Sequence, residues 1–522
     1  MAYLFLFQIG PVQAFIAQAR RTHDLFIGSY ILSELASAGV LAASHLPGFS
    51  SIYPVLDHGA VKGGAPHRFL FQSDEAPETA AAVVRSAVEN RWLTGFADPV
   101  GRLVANADLS TGWHDTFRRQ STNWMEFYWA AVPYDSKYHG ESYRKVSAAI
   151  AQRKYTRTFL AVEEPGDKCT LTGMQSALSV NWKALRNHIH DHDQIVLRSN
   201  EKIGTIALIK RLAAYALEAE QMPIPDYKHF LSTSHIAQDN PNASEESLKK
   251  KDVAGYLAVL HMDGDQIGKR ISQLKDAKQH TDFSNKLAEF ASKVPDIIHK
   301  YGGKTGTLVY AGGDDVLALL PLSKVLKCAW EISKQFTEST RMPGYDDLTA
   351  SAGIAITPDD LPLDRALELA RDAEEKAKEK YGRNAVVVVE AHGTGQMREA
   401  GAKWEIINFV LDMQELFEAH TLSGKLGYDL QVLSHDLPGD DLRPAREAEV
   451  KRLIGRRTAE GVSHDQKKKI DTLTNLMIQL VEAKHEHEQT VVPYWSDMAN
   501  WVILARFLAQ GGRRESEMEA QS

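Results

Sequence analysis

Apolar and polar positions divide the chain into short strands and longer helices. Residues 2–9 are an apolar run broken at Gly10-Pro11, too short and without the basic lead of a signal peptide, so they predict a buried strand. Residues 11–21 and 25–44 carry helical periodicity, and the small residues of SELASAGVLAAS imply close packing. GGAPHRFLFQ (63–72) reads as a turn leading into a strand, and residues 80–92 as a helix. This alternation predicts an α/β unit over the first hundred or so residues. Residues 110–160, rich in Trp, Tyr and charge, predict helix. Residues 163–205 are irregular and predict an inserted subdomain, and 204–220 predict a helix ending before Pro223 and Pro225. Residues 235–252 are polar without apolar periodicity and predict a linker.

Beyond this point the pattern sharpens. VAGYLAVLHM (253–262) predicts a strand and 283–300 a helix. TLVYA and VLALLPL flank Gly312-Gly313-Asp314-Asp315, which predicts a hairpin whose turn needs positive φ. A helix (323–336), a strand (348–357), a helix (362–380) and a last strand (385–390) follow. The order is βαββαβ, a ferredoxin-like unit. Residues 402–522 predict helices with a basic middle: Arg443, Arg446, Lys451, Arg452, Arg456, Arg457, Lys467, Lys468 and Lys469. That stretch is either a solvated face, interleaved with Glu447, Glu449 and Glu460, or a surface toward an RNA backbone.

Composition narrows the class. The chain has 522 residues, enough for several domains, with 43% hydrophobic and 25% charged residues. That excludes a collagen, a coiled-coil rod and a mostly disordered chain. Sixty Lys and Arg against 68 Asp and Glu give a formal charge of −8, so no basic excess marks a nucleic-acid binder. The two cysteines, Cys169 and Cys328, form no CxxC pair and suit a reducing cytoplasm. No run of about 18 apolar residues is evident, so no membrane span is expected.

The candidate chemistry is a set of carboxylates. Asp263 ends one strand, and Asp314-Asp315 lie in the turn between two others. In a βαββ order the first strand lies beside the hairpin, so the three acids can meet at one sheet edge. Left uncompensated they repel and their pKa values rise. Hard cations such as Mg²⁺ or Mn²⁺ are their natural partner, with phosphates completing the coordination. Two ions there suit a nucleotidyl transfer. Gly312 and Gly313 allow close backbone approach. Asp263-Gly264-Asp265-Gln266-Ile267-Gly268 opens a helix whose free N–H groups could hold a triphosphate. Lys378 and Arg383 could neutralise phosphate charge. GGDD is also a good turn on local grounds alone.

These residues resemble a known family. YLAVLHMDGDQIG, TLVYAGGDDVLALLPL, ASAGIAI and AKEKYGRNAVVVV together look like the second palm domain of the large subunit of type III CRISPR effector complexes, itself similar to GGDEF-type nucleotide cyclases. FLFQIGPVQAFIAQARRTHDLFIGSYILSELA resembles the first, degenerate palm of the Cmr (III-B) version, and GYDLQVLSHDLP fits its helical tail. The resemblance implies an α+β chain with a first palm (1–150), a helical insert with a degenerate zinc site and a linker (151–250), a second palm with the GGDD site (251–395) and a helical domain (396–522). It implies that ATP is condensed into cyclic oligoadenylate when target RNA binds, in the cytoplasm, within a complex of other subunits and guide RNA. Asp263, Asp314 and Asp315 would be catalytic and metal-binding. Gly264, Asp265, Gly268, Gly312, Gly313, Ser351, Lys378 and Arg383 would bind nucleotide, at a cleft between the palms.

Departures from the family pattern carry their own expectations. The chain starts at the first palm, so no HD nuclease is expected, and His23-Asp24 reads as a structural pair. Cys169-Thr170-Leu171-Thr172-Gly173 looks like half of a CxxC, and residues 201–204 lack thiols where the second half would stand. No structural zinc is therefore expected, although His188, His190 and His192 with Cys169 could bind a metal. Other readings are adenylate transfer to a non-ATP acceptor, a stand-alone nucleotide cyclase, or an RNA-binding scaffold without catalysis.

Overall fold

The computed structural model describes residues 1–57, 59–61, 65–110, 112–156, 164–189, 197–222, 231–243, 255–392, 395–437, 442–482 and 495–511. The chain forms two compact units, residues 1–230 with 266–292 and residues 231–265 with 293–522. The four segments expected from the sequence are thus grouped as two.

The first unit holds β1 (Tyr3–Gly10), β2 (Ser50–Tyr53), β3 (Leu56–Asp57), β4 (Ala60–Val61), β5 (Arg68–Ser73) and β6 (Glu126–Pro133). Its main sheet runs β2-β5-β1-β6 with antiparallel neighbours, the order of a ferredoxin-like unit, while β3 and β4 form a separate ribbon. Register sets Phe5 opposite Phe71 and Phe7 opposite Phe69, with rings 5.1 and 5.2 Å apart. Such cross-strand aromatic pairs add roughly 0.2–1 kcal/mol each. On the other face Leu4, Leu6, Ile52 and Leu70 pack with Tyr143, Val146 and Ile150 of the helix His139–Tyr155.

Two expectations need correction here. Residues 110–160 are not helical throughout, because β6 interrupts them between the helices His114–Thr122 and His139–Tyr155. EFYWAAVP is dominated by strand-forming residues, and the open edge of β1 provides a partner over its full length. The helix Thr22–Ala43 is also long and apolar enough in composition to cross a membrane, with half of its apolar window buried. The reason is packing within the unit: a Cβ at Gly39 would lie 3.0 Å from Val88 and 3.1 Å from Phe69.

The insert contains the two thiol-poor turns. The Thr170 N–H donates to the Lys202 carbonyl at 2.8 Å, and the Leu178 N–H to that of Ile203 at 3.0 Å. Cys169 is buried. Hydrogen bonds therefore join the two turns directly. Beside them the Arg211 guanidinium donates to both oxygens of Asp24, at 2.6 and 2.7 Å, and ion-pairs with Glu201 at 3.4 Å. All three side chains are buried. Burial alone would raise the Asp24 carboxyl, but Arg211 holds it far below the usual range. His188 lies in the helix Trp182–Ile189. His190 and His192 lie outside the described residues.

The second unit holds β7 (Tyr256–Gly264), β8 (Thr307–Gly312), β9 (Asp315–Pro321), β10 (Ala350–Pro358), β11 (Ala385–Ala391) and β12 (Met397–Lys403). The sheet order is β12-β11-β10-β7-β9-β8. The ferredoxin-like βαββαβ set closes at β10. β11 then pairs parallel to β10 after the helix Leu363–Glu379, and β12 pairs antiparallel to β11. MREAGAK has none of the β-branched character that marks its neighbours, so β12 is hidden in the sequence. β10 and β11 are buried at every position, which explains their unalternating apolar runs. The helices Ile406–Glu418, Leu426–Asp436, Arg443–Arg457, His464–Glu482 and Trp495–Ala509 complete this unit.

Candidate active site

The site is built from the end of β7 and the β8–β9 turn. β7 pairs with β9 from Leu257↔Pro321 to Met262↔Val316. One residue further, the same register places Asp263 opposite Asp315. Gly312 pairs with Asp315, so Gly313 and Asp314 form a two-residue turn. Gly313 has φ +67°, which an L side chain resists. A Cβ at either Gly312 or Gly313 would meet nothing within 4 Å. This turn is the open, glycine-lined approach to the acids.

Charge in this corner is crowded. Burial, then repulsion from Asp263, pushes the Asp314 carboxyl up to about 7. Burial and a hydrogen bond shared with Asp263 raise Asp315 well above its ordinary value. Burial also opposes charge on Asp263, but the bond to Asp315 and the Lys378 ammonium outweigh it, and Asp263 is lowered. Asp263 is thus the ionised member, and the turn acids hold protons to higher pH.

Lys378 comes from the end of the helix Leu363–Glu379. Its Nζ contacts the Asp263 carboxylate and lies 2.6 Å from Glu374, one turn earlier. Burial works against the ammonium, but these two carboxylates raise its pKa. His261 shares the Asp263 face of β7 and stands 3.9 Å from Glu374. Burial, then repulsion from Arg371, lowers this imidazole to about 4.

Two expected ligand residues have their polar atoms engaged within the fold. The Asp265 carboxylate is buried and accepts from Thr349 Oγ1 at 2.7 Å, Ser351 Oγ at 2.7 Å and the Asn384 N–H at 2.9 Å. Its own N–H donates to the Thr349 carbonyl at 2.7 Å. Ser351 is fully buried opposite Asp263 in the β7–β10 ladder. Asp265 and Ser351 therefore brace the strand ends from beneath, with their polar atoms already engaged. Gly264 is buried opposite Ala350. Gly268 is exposed in the seven-residue helix Ile267–Gln273, which groups with the first unit. The residue before that helix, Gln266, has φ +58°. Arg383 is exposed at φ +62°, with its carbonyl taken by Lys403.

Glu374 and Gly353 escaped the sequence reading. A Cβ on Gly353 would lie 2.0 Å from the Ala370 carbonyl oxygen and 2.3 Å from the Glu374 nitrogen. The bare backbone of β10 thus seats the helix that carries Glu374 and Lys378. The glycine inside an otherwise apolar strand was the available signal.

Several carboxylates beside one ammonium are a donor set suited to hard cations. Among the described residues, no group of three or more His, Cys, Asp or Glu side chains is placed to hold a metal ion by itself. A cation bound here would take oxygens from substrate or water as well. Much of the C-terminal basic stretch is engaged within the unit. Arg443 pairs with Glu447, Arg452 with Glu449, Arg457 with Asp429, and Lys469 with Asp412 and Glu415.

Together, the sheet order, the acidic hairpin and the lysine-bearing helix define a palm domain. The family description "Cas10/Cmr2, second palm domain" matches residues 256–387, and "CRISPR-associated protein Cmr2, N-terminal" matches residues 4–94. The chain is 34% identical over 182 residues to the CRISPR system Cmr subunit Cmr2 of Pyrococcus furiosus, covering 29% of this chain and 20% of that protein. It is 32% identical over 91 residues to the single-strand-specific deoxyribonuclease Cas10/Csm1 (subtype III-A) of Mycobacterium tuberculosis, covering 17% of this chain and 11% of that one. Each match therefore spans a fifth or less of the relative's own length. The fold matches the type III-B Cmr-beta complex in its apo state, with a TM-score of 0.67 at 12% identity, over 98% of this chain and 82% of the other. It also matches a Csm1-Csm4 cassette in complex with cA4, with a TM-score of 0.53 at 14% identity, over 97% and 70% of the two chains. The two matched regions and the curated relative support a Cmr2-like protein of the type III-B kind.

Proposed function

We propose that this chain is the large subunit of a type III CRISPR effector complex and that its second unit joins ATP molecules into cyclic oligoadenylate when target RNA is bound. The meeting of Asp263, Asp314 and Asp315 beside Lys378 carries this reading. The names of similar structures support it: a Cmr-beta complex bound to cognate target RNA, and Csm1-Csm4 cassettes in complex with cA4 and with AMPPNP. The partners would be the other subunits of the complex, guide RNA and target RNA.

In the reaction, the 3′-oxygen of one adenylate bonds to the α-phosphorus of the next ATP. The bond from that phosphorus to the β-phosphate bridge breaks, pyrophosphate leaves, and the hydroxyl proton is lost. Ring closure repeats the same attack within the chain. Asp263, Asp314 and Asp315 would hold Mg²⁺ or Mn²⁺, which would favour the ionised hydroxyl and would stabilise the departing pyrophosphate. Lys378 supplies positive charge to the triphosphate. Gly312 and Gly313 leave room for the nucleotide, and Gly313 sets the turn that presents Asp314. Asp265, with Thr349, Ser351 and Asn384, keeps the end of β7 in register beside the turn.

The test is product analysis by mass spectrometry of the guide-loaded complex given ATP and Mg²⁺, with Asp263→Ala as the control. Oligoadenylate that disappears in the variant supports the reading. Adenylate attached to another acceptor would keep the site and replace the substrate assignment.

A further inference from the structure

Lys378 and Glu374 do more than line the site. The Lys378 ammonium touches the Asp263 carboxylate and also Glu374, at 2.6 Å. Glu374 is buried, one helical turn from Lys378, and its backbone rests against β10 at Gly353. Asp265 is fully engaged with Thr349, Ser351 and Asn384, so it is no alternative seat for the lysine.

We infer that Lys378 is the built-in counter-ion of the acidic site and Glu374 is its fixed seat. While the site is unloaded, the ammonium rests on Asp263 and occupies the place of an incoming cation. When a divalent cation arrives, Lys378 leaves Asp263 and stays paired with Glu374, ready for the triphosphate. Glu374 is thus a positioning residue that acts through Lys378. The exchange allows four neighbouring acids (Asp263, Asp314, Asp315 and Glu374) to remain folded without metal. It also sets a threshold for metal entry without nucleotide. This inference rests on the proposed nucleotidyl-transfer reading only for the identity of the triphosphate.

The test is Mn²⁺ binding to the purified full-length chain without nucleotide, read from the free-ion EPR signal. Lys378→Met should tighten Mn²⁺ binding about tenfold, the scale of one lost opposing ion pair. Lys378→Arg keeps the charge and should stay near wild type. Lys376→Met serves as the control, because Lys376 pairs with Glu399 instead. It should shift Mn²⁺ affinity less than about twofold, the scale of a screened surface charge. Glu374→Gln should weaken Mn²⁺ binding more in the Lys378 background than in the Lys378→Met background, a coupling that a double-mutant cycle isolates. Circular dichroism confirms that each variant is folded. Equal Mn²⁺ affinity in wild type and Lys378→Met, or an equal gain in Lys376→Met, overturns the inference. So does an absence of Mn²⁺ binding in every variant. If Lys378→Met tightens Mn²⁺ while the wild-type complex makes no oligoadenylate from ATP, the counter-ion stands and the functional reading falls.

Discussion

Gly353 of β10 lies directly beneath Glu374: a Cβ at Gly353 would come within 2.3 Å of the Glu374 nitrogen. The seating of the whole helix Leu363–Glu379, and with it Lys378, depends on that missing side chain. Gly353→Val should destabilise the protein by about 1–3 kcal/mol, the usual cost of overpacking a close contact. Urea unfolding measures this. Nucleotide synthesis should fall further than stability does, because Glu374 and Lys378 are shifted from their seat beside the site.

Asp265 and Asp314 should respond in opposite ways. Asp265→Ala strands three donors, of which Ser351 is fully buried, and a buried polar group left unsatisfied costs about 1–3 kcal/mol. Asp314→Asn removes repulsion from an already crowded corner. Urea midpoints should therefore fall for Asp265→Ala and hold or rise for Asp314→Asn, although both variants lose synthesis. A large loss of stability in Asp314→Asn would contradict this account.

Stability of the metal-free protein should depend on pH through Asp314. Its carboxyl is raised from 3.8 to about 7 in the folded chain. Between these values the folded state retains a proton that the unfolded chain has released, so this contribution is lost as pH rises from about 4 to about 7. Comparing thermal melting of wild type and Asp314→Asn across that window should show a falling contribution in wild type alone. Added Mn²⁺ should reverse it.

His261 should contribute with the opposite sign. Burial lowers it from 6.5 to about 4, so between these values the unfolded chain takes up a proton that the folded one refuses. This contribution is present above pH 6.5 and is lost as pH falls toward 4. In His261→Leu the acid limb of the melting profile should flatten.

Much of this was readable from the chain alone. The strands around Asp263 and the GGDD turn stood out because they are continuous apolar runs broken by residues with one purpose, and the ferredoxin-like order brought them together. Strand β6 was missed because its aromatic and charged surroundings suggest helix, and its strand state depends on the distant edge of β1. β12 was missed because MREAGAK has no strand signature apart from its partner. Two of the expected nucleotide-binding residues are engaged within the fold instead of facing open space, for one cause. Asp265 and Ser351 lie in the right motif, but they face down into the fold and bond each other. Sequence shows which residues are near a site and not which way they point. Glu374 was invisible for the converse reason: it sits among Glu375, Lys376 and Lys378 in what reads as an ordinary solvated helix face. Only the contact at Gly353 turns it inward.

The central claim is tested most directly with the guide-loaded complex, ATP and Mg²⁺, with and without cognate target RNA, beside the Asp314→Ala, Asp315→Ala complex. Products are identified by mass spectrometry. The account predicts cyclic oligoadenylate that requires both the target RNA and the two turn acids. Target RNA bound normally, with no nucleotide product from the wild-type complex under either metal, would contradict it and leave this chain a scaffold.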